Sequence, residues 1–143
     1  MPAVVLDTDV VSELMRTRPD AAVVAWVRDQ PPADVHTTAA TVAEIRYGLA
    51  RLPTGRRRTE LSAAVDDVLG AFAARVLPFD LAAAEHYGDV VASREGAGRP
   101  IAVLDAQIAA VCRAHPAVLA TRNTKDFVET GIEVVDPWTP SRR

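Results

Sequence analysis

Four stretches, far apart in the chain, place a carboxylate where one is costly or unexpected. The first is Val4-Val5-Leu6-Asp7-Thr8-Asp9, an apolar run that ends abruptly on an acid. The others hold Glu44, Asp105 and the Asn123/Asp126 corner. Hard divalent cations such as Mg2+ take oxygen ligands and keep several waters, so they need only a few carboxylates held close together. Carboxylates gathered without a cation repel one another, so a cluster of them predicts a metal. Two such ions about 4 Å apart can activate a water and stabilise the leaving oxygen in phosphodiester hydrolysis. The expectation is therefore that the chain folds to bring these acids together around a divalent metal. Zinc spacing is absent: His36, His86 and His115 are far apart and Cys112 stands alone. There is also no Gly-rich phosphate loop and no Gly-x-Ser-x-Gly elbow.

Each acid also has a purely structural reading. Asp7 at a strand-to-helix junction suits an N-cap. Glu44 fits a capping box with Thr41, the Thr-x-x-Glu pattern. Asp126 before Phe127 suits a solvated turn. Asp105 is harder to explain this way, because it sits beside the apolar ridge of Leu104, Ile108 and Val111. A half-buried ionised carboxylate needs a partner or shifts its pKa. A cation satisfies it, and so would a buried salt bridge to an arginine.

The elements that must position these residues alternate. Val4 to Leu6 reads as a buried strand, followed by a short helix Val10 to Met15 capped by Asp9 or Thr8. Pro19-Asp20 opens a second helix, which Pro31-Pro32 stops. The segment from Asp34 to Ala39 holds a second strand, and Thr41 caps a helix carrying Ile45 and Leu49. Arg56-Arg57-Arg58 leads into a long helix. Val76 to Phe79 is a third strand whose proline suggests an edge. Asp80 caps the next helix, which runs to the Gly96-Ala97-Gly98 break. Pro100 suits a first-turn position of the helix Ile101 to His115. Ala117 to Thr121 is an apolar fourth strand, Asn123 to Phe127 a tight turn, and Ile132 to Val135 a last strand. This alternation predicts a three-layer α/β/α fold with a central, mostly parallel sheet. Asp7, Glu44 and the Asn123/Asp126 corner then share the edge where strands end. Asp105 joins them only if its helix runs antiparallel to the strands after a lengthened loop.

Composition bounds the rest. The chain has 143 residues, 49% hydrophobic and 24% charged, the size of one domain over 1–143 with a short tail from about 137. A single cysteine excludes an intrachain disulfide and fits a reducing compartment. No apolar run is long enough to span a bilayer, and the N-terminus lacks the marks of a signal peptide. A soluble cytoplasmic protein is expected. With a net charge of -3, any nucleic acid must be met by a local basic patch or a metal.

The chain resembles the PIN-domain ribonucleases, specifically the VapC-type toxins of bacterial toxin–antitoxin systems, near the FitB-like subgroup. The resemblance lies in Leu6 to Glu13, Val42 to Leu49, Val76 to Asp80, Ile101 to Ala110, Ala120 to Phe127 and Val134 to Trp138. These stretches span nearly the whole chain. It implies a PIN-like fold and an Mg2+- or Mn2+-dependent endoribonuclease. Asp7, Glu44 and Asp105 match the family's metal-binding acids. The same resemblance implies a homodimer held inactive by a small cognate antitoxin. Two departures stand out. The family usually has Asn at Asp9, and many relatives have Asp at Asn123. An Asn brings a carbonyl but no charge, so a second metal stays open, with Asp126 as the residue that would compensate. Thr121 would orient a ligand or water through its hydroxyl.

Arg122 and Lys125 beside the site, and Arg46, are the best RNA-contact candidates. Phosphate contacts of this kind give affinity rather than sequence choice. Trp26 and Trp138 read as packing residues. Two other functions remain to be weighed. Asp7-Thr8-Asp9-Val10-Val11 also matches the nucleophile pattern of haloacid-dehalogenase-like phosphatases, with Asp7 attacking phosphorus and Asp9 as the acid. That reading leaves Glu44 and Asp105 unexplained. A non-catalytic interaction protein, its acids serving as caps and salt bridges, is the third.

Overall fold

A computed structural model describes residues 3–140, so the end of the expected tail, 141–143, lies outside the described residues. The strands are β1 (Ala3–Leu6), β2 (Val35–Thr38), β3 (Val76–Leu77), β4 (Ala117–Ala120) and β5 (Glu133–Val135). They form one sheet in the order β3-β2-β1-β4-β5, and every ladder is parallel. Six helices connect them: α1 (Thr8–Leu14), α2 (Ala21–Arg28), α3 (Ala39–Ala50), α4 (Arg56–Ala71), α5 (Leu81–Gly96) and α6 (Val103–Ala114). No helix of the described residues is long and apolar enough to cross a membrane.

The period-two alternation of β1 sets the layers. Val4 and Leu6 point into a core shared with Val10 of α1, Val23 of α2, Ile45 of α3 and Leu69 of α4. Val5 points the other way, toward Val90 of α5 and Ile108 of α6. Buried on both faces, β1 must be continuously apolar, and it is. Each such side chain contributes roughly 1.5–3 kcal/mol by leaving water. β3 is an edge strand, as Pro78 suggested, and β5 is the other edge.

Two helix starts follow the sequence reading. The Asp20 carboxylate accepts from the Ala22 and Val23 amides at 2.8 and 3.3 Å, and Asp80 accepts from Ala83 at 3.1 Å. Three boundaries differ. The cap of α1 is Asp7, whose Oδ1 accepts from the Thr8 amide at 2.8 Å; of the cap candidates Asp7, Thr8 and Asp9 in the sequence, the structure selects the first. The cap of α3 is Thr38, whose hydroxyl accepts from the Thr41 amide at 3.1 Å. Helix α3 therefore starts at Ala39, Glu44 lies in its second turn, and no Thr41–Glu44 capping box forms. Helix α6 starts at Val103, so Pro100 precedes it rather than occupying its first turn.

The topology puts a crevice at one place. Strand β1 has β2 on one side and β4 on the other, so the connections diverge outside its C-terminal end. In parallel α/β sheets that switch point is where ligands bind. The ladder runs one residue further: the Asp7 amide donates to the Ala120 carbonyl and the Thr121 amide to that of Val135, both at 2.9 Å. Asp7 and Thr121 are thus delivered side by side at the crevice.

Candidate active site

One wall of the crevice is built by those strand ends. Asp7 is 5% exposed, and both its oxygens are engaged. Oδ1 caps α1, and Oδ2 accepts from the Thr121 hydroxyl at 2.8 Å. Asp9, in the first turn of α1, turns Oδ2 toward the Arg122 amide at 2.9 Å and the Thr121 hydroxyl at 3.3 Å. A hydroxyl has one proton, so Thr121 donates to the nearer Asp7. The other Asp9 oxygen, Oδ1, is buried and has no hydrogen-bond partner. Thr121 thus orients the Asp7 carboxylate, and the Arg122 amide holds that of Asp9. The Thr121 hydroxyl oxygen accepts from the Asn123 amide at 3.1 Å, while Asn123 itself is exposed.

The second wall is helical. Glu44 is half-buried and its Oε1 accepts from the Thr8 hydroxyl at 2.8 Å. That hydroxyl also lies 3.2 Å from Thr41 Oγ1, which is 3.4 Å from Thr38 Oγ1. With one proton each, the hydroxyls can order into a chain directed at the Glu44 carboxylate. Asp105 arrives in the first turn of α6, after the long 97–102 connection. Asp126 comes from the 3-10 turn Thr124–Phe127 that follows β4. These two acids line a pocket of about 160 Å³ together with Arg94, Pro100 and Ile101.

Electrostatics show that the acids feel one another. Burial, then repulsion from Asp9 and Asp105, pushes the Asp7 carboxyl up to about 7, against the pull of the Thr121 and Thr8 hydrogen bonds. Burial, then Glu44, Asp126 and Asp9, pushes Asp105 up to about 6, with Arg94 acting in the opposite sense. Burial also raises Asp9, while the Arg122 amide draws it down. Among the described residues the ion pairs are Arg16–Glu13, Arg46–Asp66, Arg56–Glu60 and a long His115–Asp80 contact. None involves a site acid, so Asp105 has no arginine in direct contact.

No three His, Cys, Asp or Glu side chains among the described residues stand as a ready-made ligand set. That is compatible with Mg2+, which binds through one or two carboxylates and keeps its waters. The donor chemistry fits such an ion: hard oxygens throughout, one of them the unpartnered Asp9 Oδ1. Cys112 is buried among apolar side chains, away from this role.

Comparison with known proteins places the chain. A family model described as PIN domain matches residues 4–133. The chain belongs to the PIN-domain family. It is 44% identical over 139 residues to VapC ribonuclease Y4jK of Sinorhizobium fredii, covering 96% of this chain and 99% of that one. It is 38% identical to toxin FitB of Neisseria gonorrhoeae, covering 94% and 98%. The solved structure of FitAB bound to an IR36 DNA fragment superposes with a TM-score of 0.89 at 36% identity, over 98% of this chain and 99% of that one. The PIN fold sets aside the phosphatase reading of Asp7-Thr8-Asp9, and the acids that reading left unexplained stand in the same crevice.

Some features of this PIN domain were not visible in the sequence. Arg94 is one, 4% exposed although charged. It shares a helix face with the buried Ala83 and Val90, and an arginine on an apolar stripe was the available signal. Thr8 is the second, read only as a cap. The third is a cleft of about 480 Å³ that opens beside Thr8 and Glu44 and continues past Ile45, Leu49, Leu61 and Val65. Arg122 is exposed, its guanidinium 4.8 Å over the Trp138 ring, and Lys125 is exposed beside it. Arg46 is tied to Asp66 at 2.8 Å on the α3–α4 surface. Trp26 and Trp138 both pack against the β1 core.

Proposed function

We propose that this PIN-domain chain is a divalent-metal-dependent endoribonuclease and the toxin of a toxin–antitoxin pair. The observation that carries the reading is that burial and neighbouring carboxylates raise the pKa values of Asp7 and Asp105, Asp9 and Asp105 acting on the first and Glu44, Asp126 and Asp9 on the second, with no ion pair to either among the described residues. Asp7, Asp105 and Glu44 would hold Mg2+ or Mn2+, with Asp9 and Asp126 adding charge nearby. The ion supplies positive charge and Lewis acidity against the negative charge that develops in phosphodiester hydrolysis. The chain's own groups do the positioning. Thr121 fixes the Asp7 carboxylate, Thr8 fixes Glu44, and the low-dielectric strand end keeps competing water from Asp7. Arg122 and Lys125 would meet RNA phosphates at the rim. Support for the substrate comes from the 44% identical ribonuclease relative.

An antitoxin partner is supported by the FitAB likeness and by the apolar cleft beside Glu44, which suits a segment ending in a basic side chain. A homodimer is implied by the same kinship, and light scattering on the purified protein reads it. The deciding experiment incubates purified protein with a mixed RNA pool in Mg2+, Mn2+ or EDTA, beside Asp7→Asn and Asp105→Asn. Metal-dependent cuts that vanish in both variants support the reading. Equal cutting by all three proteins would mean a contaminating nuclease. Thermal melts with and without Mg2+ separate the non-catalytic alternative, which predicts no metal-induced stabilisation.

A further inference from the structure

The two helical acids reach the crevice from separate pieces of chain, and one side chain joins those pieces. Arg94 Nη1 donates to the carbonyls of Val128 at 3.0 Å and Lys125 at 3.3 Å, and Nη2 donates to that of Pro100 at 3.4 Å. Lys125 and Val128 flank the turn that carries Asp126. Pro100 lies just before α6, whose first turn carries Asp105. Arg94 is itself fixed from behind. Gly98 adopts a φ of 71°, and the Arg99 amide folds back onto the Arg94 carbonyl at 2.8 Å.

We propose that Arg94 is the positioning residue for the Asp105/Asp126 half of the site, a guanidinium staple that ties the 100–102 segment to the 125–128 turn. Its chemistry suits the task. A buried guanidinium is costly unless hydrogen-bonded, and here backbone carbonyls engage both Nη groups while Nε stays without a partner. It makes no ion pair with Asp105 or Asp126, so both carboxylates stay free for a cation. Its charge nevertheless faces Asp105 across the small pocket and acts against the repulsion that this acid feels. Lysine cannot replace it, because one ammonium cannot span carbonyls on two segments as a planar fork does.

The inference rests on the metal-site reading above, and its test is kept separate from it. Arg94→Lys and Arg94→Gln are compared with wild type by melting, by Mn2+ titration in a calorimeter, and by kcat and KM for RNA. Both variants are expected to bind Mn2+ about tenfold or more weakly, in the range of lost supporting contacts at metal sites. The kcat should fall in parallel while KM for RNA changes little, and Lys should not rescue. Wild-type Mn2+ affinity in the folded fraction of either variant, or full rescue by Lys, overturns the proposal. Should the variants not fold, 15N-labelled wild type decides. The Arg94 guanidinium protons should exchange more slowly than those of exposed Arg56 and shift on adding Mg2+. Exchange as fast as Arg56, or no response to Mg2+, overturns it equally. If wild type binds metal but cuts no RNA, the nuclease reading fails while Arg94 is still judged by binding and exchange.

Discussion

The two walls of the crevice are built by different means. On the strand wall, Asp7 and Thr121 are neighbours because Leu6 pairs with Ala120 in the β1–β4 ladder. Their relation is set by sheet register, and a register slip would turn the whole core face of β1 outward. On the helical wall, Asp105 and Asp126 belong to a helix start and a short turn whose backbones meet through Arg94. The strand wall is thus fixed by sheet register, and the helical wall by side-chain hydrogen bonds to backbone carbonyls. A site gains from side chains held by rigid elements and supporting hydrogen bonds, and the two walls reach this by different means.

The sharpest way to break the strand wall is Thr121→Val. It removes the donor to a buried carboxylate oxygen and the acceptor of the Asn123 amide. Leaving such groups unpaired costs about 1–3 kcal/mol, or more when charged. The expected result is a clearly lowered denaturation midpoint and RNA cleavage reduced by at least about tenfold; an unchanged midpoint would show that Asp7 needs no such support.

The next effect concerns both walls. Asp7 and Asp105 have folded-state values of about 7 and about 6 against an ordinary 3.8. Between pH 4 and 7 the folded chain therefore binds more protons than the unfolded one, so stability falls as pH rises through that window. Below it both states are protonated and the difference vanishes. Melts in EDTA should run higher at pH 5 than at pH 8. Saturating Mg2+ favours the ionised acids and should flatten or invert the trend, stabilising by about 2.7 kcal/mol at a hundred times its Kd. A melting temperature that rises with pH in EDTA would contradict the burial and repulsion inferred for these acids.

Smaller consequences separate the walls further. Thr8→Val removes the hydroxyl from Glu44, but Glu44 is half-exposed and water can replace the donor. Stability should change by about 1 kcal/mol or less, with a loss of cleavage smaller than for Thr121→Val. Smallest of all, Arg46→Ala breaks only the exposed pair with Asp66 and should shift stability by under about 1 kcal/mol. A large loss of RNA affinity in that variant would assign Arg46 a substrate contact that its ion pair conceals.

How much was legible differs between the walls in the same way. Asp7 could be read because a buried strand ends on it, and the caps Asp20 and Asp80 because nothing nearby competes for the role. The cap of α3 could not, because Thr37, Thr38 and Thr41 offer the same hydroxyl, and the backbone geometry at Thr38 selects it. The start of α6 was misplaced because Pro100 suits a first helical turn. Ala102, at φ -65° and ψ 148°, is still extended, and the Pro100 carbonyl is held by Arg94.

Alternation of apolar strands with amphipathic helices was enough to determine a three-layer parallel fold, since burial period and chain direction are local properties. So was the residue type at each strand end, and with it a hard-oxygen chemistry. Only the folded chain decided that the Thr121 proton goes to Asp7, that Asp9 keeps an oxygen unpaired, and that a buried arginine braces the acids of α6 and the following turn. Those are relations between atoms more than thirty residues apart, and hydrogen-bond direction and desolvation exist only once the segments have packed.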